Sequence, residues 1–369
     1  MKAEKIGFKN YRNLVDDEIE LSEGVNIFTG QNAQGKTNIL EGIWLFSSCK
    51  SFRGSDDKDF INTEKDFCEL NASFTKNERT NEARIKISRG KRKELYRNDA
   101  KVRPAELVGS FNTVLFFPEQ LFLVKGAPEQ RRKFLDFAIS QLKPRYLEYS
   151  AEYAKLLAQK NHILKNGRPD MLSTIEHWNE GLAKTGAYIS YMRKSYLDRI
   201  FPYAQKVSGE ISGGKEELSL SFIPSGFKEG EFSDNLSDIE ETILNKMNSL
   251  IDEEIGAKHS LVGCHRDDFV IGLNGMPAKT FASQGQQRSC VIALKSAEAE
   301  FIKDTVGEYP VMLFDDVFSE LDNMRKKYIL NHIKDKQVIV TCCEPIDGLS
   351  DGEAAVFTVD GGRVKKECI

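Results

Sequence analysis

The chain has 369 residues, enough for two or three domains and a large buried core. It is 40% hydrophobic and 29% charged with a net charge of −4, an ordinary globular composition that does not advertise nucleic-acid binding, although net charge hides local patches. No apolar run is long enough to span a bilayer, the opening MKAEKIGFKNYRNL lacks a signal-peptide core, and seven scattered cysteines suit neither a disulfide framework nor a zinc site, so a reduced, cytoplasmic setting is expected.

In chain order, residues 24–30 (GVNIFTG) predict a short buried strand ending in glycine. The following KTNILEGIWLFSSC predicts a helix, with Ile39, Ile43 and Phe46 at helical spacing. From 71 to 114 the pattern alternates, which predicts an antiparallel β-lobe with Asn98 and Asp99 in a hairpin turn. Residues 129–208 read as helix. Trp178, Leu182, Thr185, Ile189, Met192 and Tyr196 recur in steps of three and four, facing Tyr149, Tyr153, Leu156, Leu157 and Leu164 across the turn NGRPD (166–170). A Gly- and acid-rich stretch, 225–238, reads as a solvated linker, and 239–254 as a helix. The last third returns to α/β: a hairpin over 267–281 turning at Asn274-Gly275, a helix over 288–303, a strand over 310–316, a helix over 323–334 and a final strand over 337–342. Cys342 and Cys343 read as small core or strand-end residues.

Three stretches carry chemistry. GQNAQGKTN (30–38) has the frame G-x-x-x-x-G-K-T between strand and helix. From Gly30 onward, the backbone N–H groups of Asn32, Ala33, Gln34, Gly35, Lys36 and Thr37 can wrap phosphates at a helix N-terminus, with Asn38 following. Lys36 would reach the β- and γ-phosphates of ATP, and the Thr37 hydroxyl would hold Mg2+. VMLFDDVFSELD (311–322) is an apolar strand delivering two carboxylates to the edge where α/β sheets place ligands. Asp315 would hold Mg2+ through water and Asp316 would polarise an attacking water, the bland alternative being acids that cap the next helix. FASQGQQRS (281–289) opens a helix with Ser283, Gly285 and Gln286; alone it reads equally as a helix cap. Between a Walker A-type loop and a Walker B-type strand it resembles the ABC-ATPase signature.

That resemblance implies that Ser283 and its helix N-terminus meet the γ-phosphate held by a second subunit, because exposed N–H donors and a positive dipole end favour an anion. ATP would then join a two-fold homodimer. With YRNL (11–14), KSFRG (50–54), FFPEQL and KGAPEQRRKFLD (116–136), HRDDF (265–269), SQGQQR and DDVFSELD, the chain resembles the RecF family of bacterial recombinational-repair ATPases nearly end to end. The short helical arm also separates it from the long-armed SMC proteins.

The resemblance implies an α/β fold: an ABC-type P-loop ATPase head (1–126 and 255–369) with an antiparallel β-lobe and an inserted short α-helical arm (127–254). It implies an ATP-dependent dimer on gapped or single/double-strand junction DNA, without sequence preference or membrane contact, working with RecR and RecO to load recombinase. It places Arg12 and Arg53 near the nucleotide and Gln120 at the Q-loop metal position. This chain departs from the family pattern at Gln120, where many members carry an acid, and at Cys264, where proline is usual. Thr341 stands where many ABC ATPases place a switch histidine, and Asp316 stands for a transporter glutamate; together these imply a slow, DNA-stimulated ATPase. Candidate DNA contacts are Arg89, Lys91, Arg92 and Lys93 in a basic hairpin, and Arg131 and Arg132 at the root of the arm; a solvated charged face is the other reading of both. A P-loop kinase or transferase, or an ABC-type ATPase driving a protein or membrane partner, leaves the signature or the basic lobe unexplained.

Overall fold

A computed structural model describes residues 1–167, 169–344 and 354–367. The chain divides into two compact units, one of Met1–Gln120, Glu210–Gly213 and Val291–Ile369, the other of Leu121–Gly209 and Gly214–Cys290.

The strands, in chain order, are β1 (Lys2–Lys9), β2 (Asp17–Glu20), β3 (Val25–Thr29), β4 (Phe67–Lys76), β5 (Arg79–Ser88), β6 (Glu94–Arg97), β7 (Ala100–Val102), β8 (Thr113–Phe116), β9 (Leu218–Ile223), β10 (Asp268–Leu273), β11 (Met276–Pro277), β12 (Val311–Asp315), β13 (Val338–Cys342), β14 (Ala355–Asp360) and β15 (Arg363–Lys366). Among the described residues the first unit holds two six-stranded sheets.

One sheet is antiparallel, in the order β2-β1-β4-β5-β6-β7. Period-two patterning builds it: Cys68, Leu70, Ala72 and Phe74 of β4 and Ala83, Ile85 and Ile87 of β5 point inward while their neighbours face out. The turn at Asn98 and Asp99 forms as expected, both residues with positive φ, between Arg97 and Ala100. The sheet also takes in β1 and β2, which precede the first strand the sequence predicts.

The other sheet runs β15-β14-β3-β13-β12-β8 and is parallel except at β15. Its central strands β12 and β13 are buried at every position, the signature of a sheet covered on both faces. Phe28 stacks on Phe357 at 4.7 Å, and Phe116 on Phe314 at 4.5 Å. Two expectations are corrected here. Residues 113 and 114, expected in the alternating lobe, belong to β8 of this parallel sheet, and β13 is not the last strand. The β14–β15 hairpin follows it, turning at Gly361 and Gly362, both with positive φ.

The second unit is mainly helical. It holds the helices Pro128–Leu142, Pro144–Asn166 and Ile175–Ser212 (this unit extending to Gly209) and the antiparallel sheet β11-β10-β9, with Phe134 of the first helix against Phe269 of β10. The predicted hairpin of helices is present: Tyr149 lies 4.5 Å from Tyr188, and Ile163, Leu164 and Ile175 form a small core with Trp178 packed on it. Position 168 of the intervening NGRPD lies outside the described residues. The turn at Asn274 and Gly275 has φ of 52 and 76, the two positive values a type I′ hairpin needs. The helix expected over 239–254 is two, Leu236–Ser249 and Ile251–Ala257, separated at Leu250. The preceding stretch is more than a solvated linker, since Phe232 packs against both Phe222 and Phe227.

Ion pairs stitch this unit internally. Buried Arg193 reaches Asp136 at 2.8 Å and Asp267 at 3.1 Å, and donates to the Cys264 carbonyl at 2.5 Å. Arg131 makes a two-pronged pair with Asp268, at 2.6 and 2.8 Å. Because β10 pairs along its length with β9, residues 255–290, expected in the head, cluster with the helical unit, and the division falls at Cys290.

Candidate nucleotide site and basic surfaces

The phosphate loop leaves β3 and enters the helix Lys36–Ser48. Its shape requires glycine at two points. Gly30 has φ of 153, and a Cβ there would sit 2.3 Å from the Val359 carbonyl oxygen; Gly35, at the helix N-cap with φ of 116, has no room beside Leu14. Ala33 is also left-handed, with φ of 65. Successive N–H groups in such a turn form an anion-binding concavity at the positive end of a helix.

Lys36 is almost wholly buried, and its ammonium curls back to donate to the carbonyls of Gly30 at 2.5 Å and Gln31 at 2.9 Å. The Cys343 sulfur lies 3.4 Å from the same ammonium and 3.0 Å from the Asn32 side-chain oxygen. Cys343 therefore borders the loop, while Cys342 is a buried strand-end residue whose thiol is pushed up to about 11 by burial. The loop's far side is tied by Gln34, which accepts from the backbone N–H of Gly361 at 2.6 Å through its side chain and from that of Gly362 at 3.1 Å through its carbonyl. That clamp lies in the hairpin the sequence reading missed.

Thr37 and Asp315 meet at the head of the loop, the hydroxyl donating to the carboxylate at 2.9 Å. Burial raises the Asp315 pKa above its ordinary value, opposed by hydrogen bonds from Thr341 and Thr37. Asp316, next along, is half-buried and left-handed, with φ of 51. Of the predicted hydroxyl and two acids, Thr37 and Asp315 are brought together, and Asp316 follows at the end of β12 with its N–H on Thr341. A buried carboxylate beside a hydroxyl, an oxygen-only donor set, suits Mg2+, and the cradle suits polyphosphate.

Arg12 and Arg53 converge on one residue that sequence reasoning did not single out. Glu41, fully buried one turn below Thr37, pairs with Arg12 at 2.6 Å and also with Arg53. Arg53 reaches Asn38 as well, at 2.7 Å, and Asn38 in turn donates to Asn13 at 2.7 Å. A carboxylate inside an otherwise apolar helix face was the available signal. Gln120 spends its amide nitrogen on the Leu115 carbonyl at 2.5 Å, so the amide oxygen is what it can offer a metal.

In the other unit, Ser283 caps the helix Gln284–Val306. Its N–H donates to the Gln286 side chain at 2.8 Å, and the Gln286 N–H returns to the Ser283 hydroxyl at 3.3 Å. The capping reading and the signature reading are both compatible with this geometry, because Ser283 is exposed and Gly285 half-buried beside it.

The basic candidates separate by partner. Lys91 and Arg92 are exposed at the turn between β5 and β6. Arg89, also exposed, donates to the Lys65 carbonyl at 2.9 Å, while Lys93 folds back onto Asp57 at 2.7 Å. Arg131 is corrected: it is buried against Asp268 and structural. Arg132 donates to the Asp267 carbonyl at 2.8 Å, a similar internal duty.

Known proteins match this arrangement over essentially the whole chain. Residues 2–353 fit the family model "RecF/RecN/SMC N terminal domain". The chain is 38% identical over 368 residues to the DNA replication and repair protein RecF of Clostridium beijerinckii, covering 99% of this chain and 98% of that one. It is 37% identical to the RecF of Clostridium tetani, covering 99% and 97%. Two solved structures of the recombination mediator protein RecF, described as RecF-ATPrS and RecF-ATP, superpose with TM-scores of 0.91 and 0.90 at 32% identity, covering 99% and 100% of this chain and 98% of each of theirs. An SMC head at 15% identity shares the fold, with a TM-score of 0.56. The cradle around Lys36, the Thr37–Asp315 junction and these likenesses agree, and the chain belongs to the RecF family of SMC-like ABC-type ATPases.

Proposed function

We propose that this protein is an ATP-gated DNA clamp of recombinational repair. Two copies close on gapped or single/double-strand junction DNA when each holds ATP, and slow hydrolysis releases them. By family likeness it works in the cytoplasm with RecR and RecO to help load recombinase at gaps.

The observation that carries the reading is the exposed, Ser283-capped N-terminus of the helix Gln284–Val306. The Gln286 N–H is taken by the Ser283 hydroxyl, and the positive dipole end that remains at this exposed terminus is what a phosphate on a second copy would answer. In each copy the loop from Gly30 to Asn38 would wrap the phosphates, Lys36 would turn from its carbonyls to the β/γ oxygens, and Thr37, Asp315 and Gln120 would hold Mg2+. When bound, the metal would neutralise charge on the β- and γ-phosphates. Asp316 would orient a water and take its proton at a carboxylate oxygen. Arg12 and Arg53, pre-aimed by Glu41, would flank the nucleotide. The exposed Arg89, Lys91 and Arg92 are the basic residues best placed for phosphate contacts with DNA.

Light scattering with Mg-ATP, Mg-ADP and no nucleotide, with and without DNA, tests the clamp. A doubling of mass with ATP, abolished by Lys36→Ala through lost binding and by Ser283→Arg through steric and charge conflict, is expected. Asp316→Asn should prolong the ATP-bound dimer. A wild-type protein that stays monomeric with saturating ATP and DNA would sink the shared-site reading.

A further inference from the structure

The strand β13 ends beside the acidic strand β12, and their parallel register sets Thr341 directly opposite Asp315. Thr341 is 1% exposed, so its hydroxyl must find partners inside the protein. It finds two. The hydroxyl donates to Asp315 Oδ1 at 2.8 Å and accepts from the Asp316 N–H at 3.1 Å. The Thr341 carbonyl accepts from that same N–H, also at 3.1 Å.

We propose that Thr341 is a positioning residue for ATP hydrolysis, its hydroxyl locking the orientation of both acids at once. The inference rests on the roles given above to Asp315 and Asp316. Three features of the geometry support it. First, Asp315 Oδ1 receives two hydroxyls, from Thr341 and from Thr37 at 2.9 Å, which pins that oxygen and leaves Oδ2 as the one that would be offered to a metal-bound water. Second, Asp316 sits at φ of 51, a backbone setting that costs an L-residue energy and persists where neighbours over-determine it. The Thr341 side chain adds a second acceptor to the very N–H that defines that setting. Third, Thr341 is too far inside to act as a base, so its position does not substitute for a histidine; it supplies orientation instead. Valine has the same shape without the hydroxyl, which isolates the hydrogen bonds from the packing.

The test compares Thr341→Val, Thr341→Ser and Thr341→Ala with Asp316→Asn and wild type. Turnover is measured beside binding of a fluorescent ATP analogue, in Mg2+ and in EDTA, with a thermal melt as the folding control. Losing a hydrogen bond to a charged group predicts a fall in kcat of roughly 10- to 100-fold for Thr341→Val. Binding in EDTA should stay within about twofold of wild type, while the affinity gained on adding Mg2+ shrinks several-fold. Thr341→Ser should recover most of both, and Thr341→Ala should follow valine even where valine melts early. Wild-type kcat and Mg2+ gain in Thr341→Val overturns the proposal, as does serine being as impaired as valine, which would leave a packing role alone. If Asp316→Asn itself turns over at the wild-type rate, the acid assignment falls, whereas an inactive Asp316→Asn beside an unaffected Thr341→Val removes only the role of Thr341.

Discussion

Glu41 holds Arg12 at 2.6 Å from inside the helix that leaves the phosphate loop, and pairs with Arg53 as well. A fully buried carboxylate between two guanidiniums is paired but expensive to desolvate, so stability alone is a poor account of it. Orientation is the better account, because Arg53 also touches Asn38 in the loop sequence at 2.7 Å.

Glu41→Gln keeps the shape and removes the charge. It is expected to weaken ATP binding about 10-fold by releasing both arginines, and to cost about 2–4 kcal/mol of stability. Titration of a fluorescent ATP analogue and a thermal melt check both. Lowered stability with unchanged affinity would make Glu41 structural only.

Most of the candidate site's layout is legible in the sequence because it is local. The glycines of the loop, Lys36, Thr37 and the two acids lie within short stretches whose strand–loop–helix context is itself periodic. What stayed hidden depends on contacts far apart in the chain. Glu41 shows only as a carboxylate in an apolar helix face until Arg12 and Arg53 arrive from outside its helix. Thr341 reads as a poor substitute for a switch histidine until β13 is known to pair with β12. The Gln34 clamp needs Gly361 and Gly362, in a hairpin beyond the last strand that the sequence predicts. Arg131 misled for the opposite reason: a charge run at a helix start looks solvated until Asp268 is brought to it.

That correction makes the basic residues separable. Arg131→Ala strands Asp268 without its partner and is expected to cost about 3 kcal/mol, read as a lowered Tm. Its effect on DNA affinity should vanish once folded fraction is accounted for. A DNA-binding defect in fully folded Arg131→Ala would restore it as a contact.

Lys91→Ala and Arg92→Ala should behave in the reverse way, leaving Tm unchanged because both side chains are exposed. If each neutralises one duplex phosphate, the slope of log K against log salt should become shallower by about 0.9 per substitution. Equal affinity and equal slope in the double variant would move the DNA surface elsewhere.

His265 gives the second unit a pH response of known sign. Its Nδ1 lies 2.6 Å from the Tyr153 hydroxyl and its Nε2 3.4 Å from the Ser260 carbonyl, an arrangement that suits a neutral ring accepting from tyrosine and donating to the carbonyl. Burial pushes its pKa down from 6.5 to about 4, with Arg266, Arg132 and Lys160 adding to the fall against the Ser260 carbonyl. Between those values the unfolded chain binds a proton that the folded one refuses, so stability is full above about pH 6.5 and is lost as pH falls toward 4. The loss attributable to this one group is at most about 3 kcal/mol. His265→Gln lacks the titration, so the difference between wild type and variant in denaturant midpoint should narrow or reverse on acidification across that window. A difference that stays constant from pH 7 to pH 4 would mean that the ring accepts its proton inside the fold.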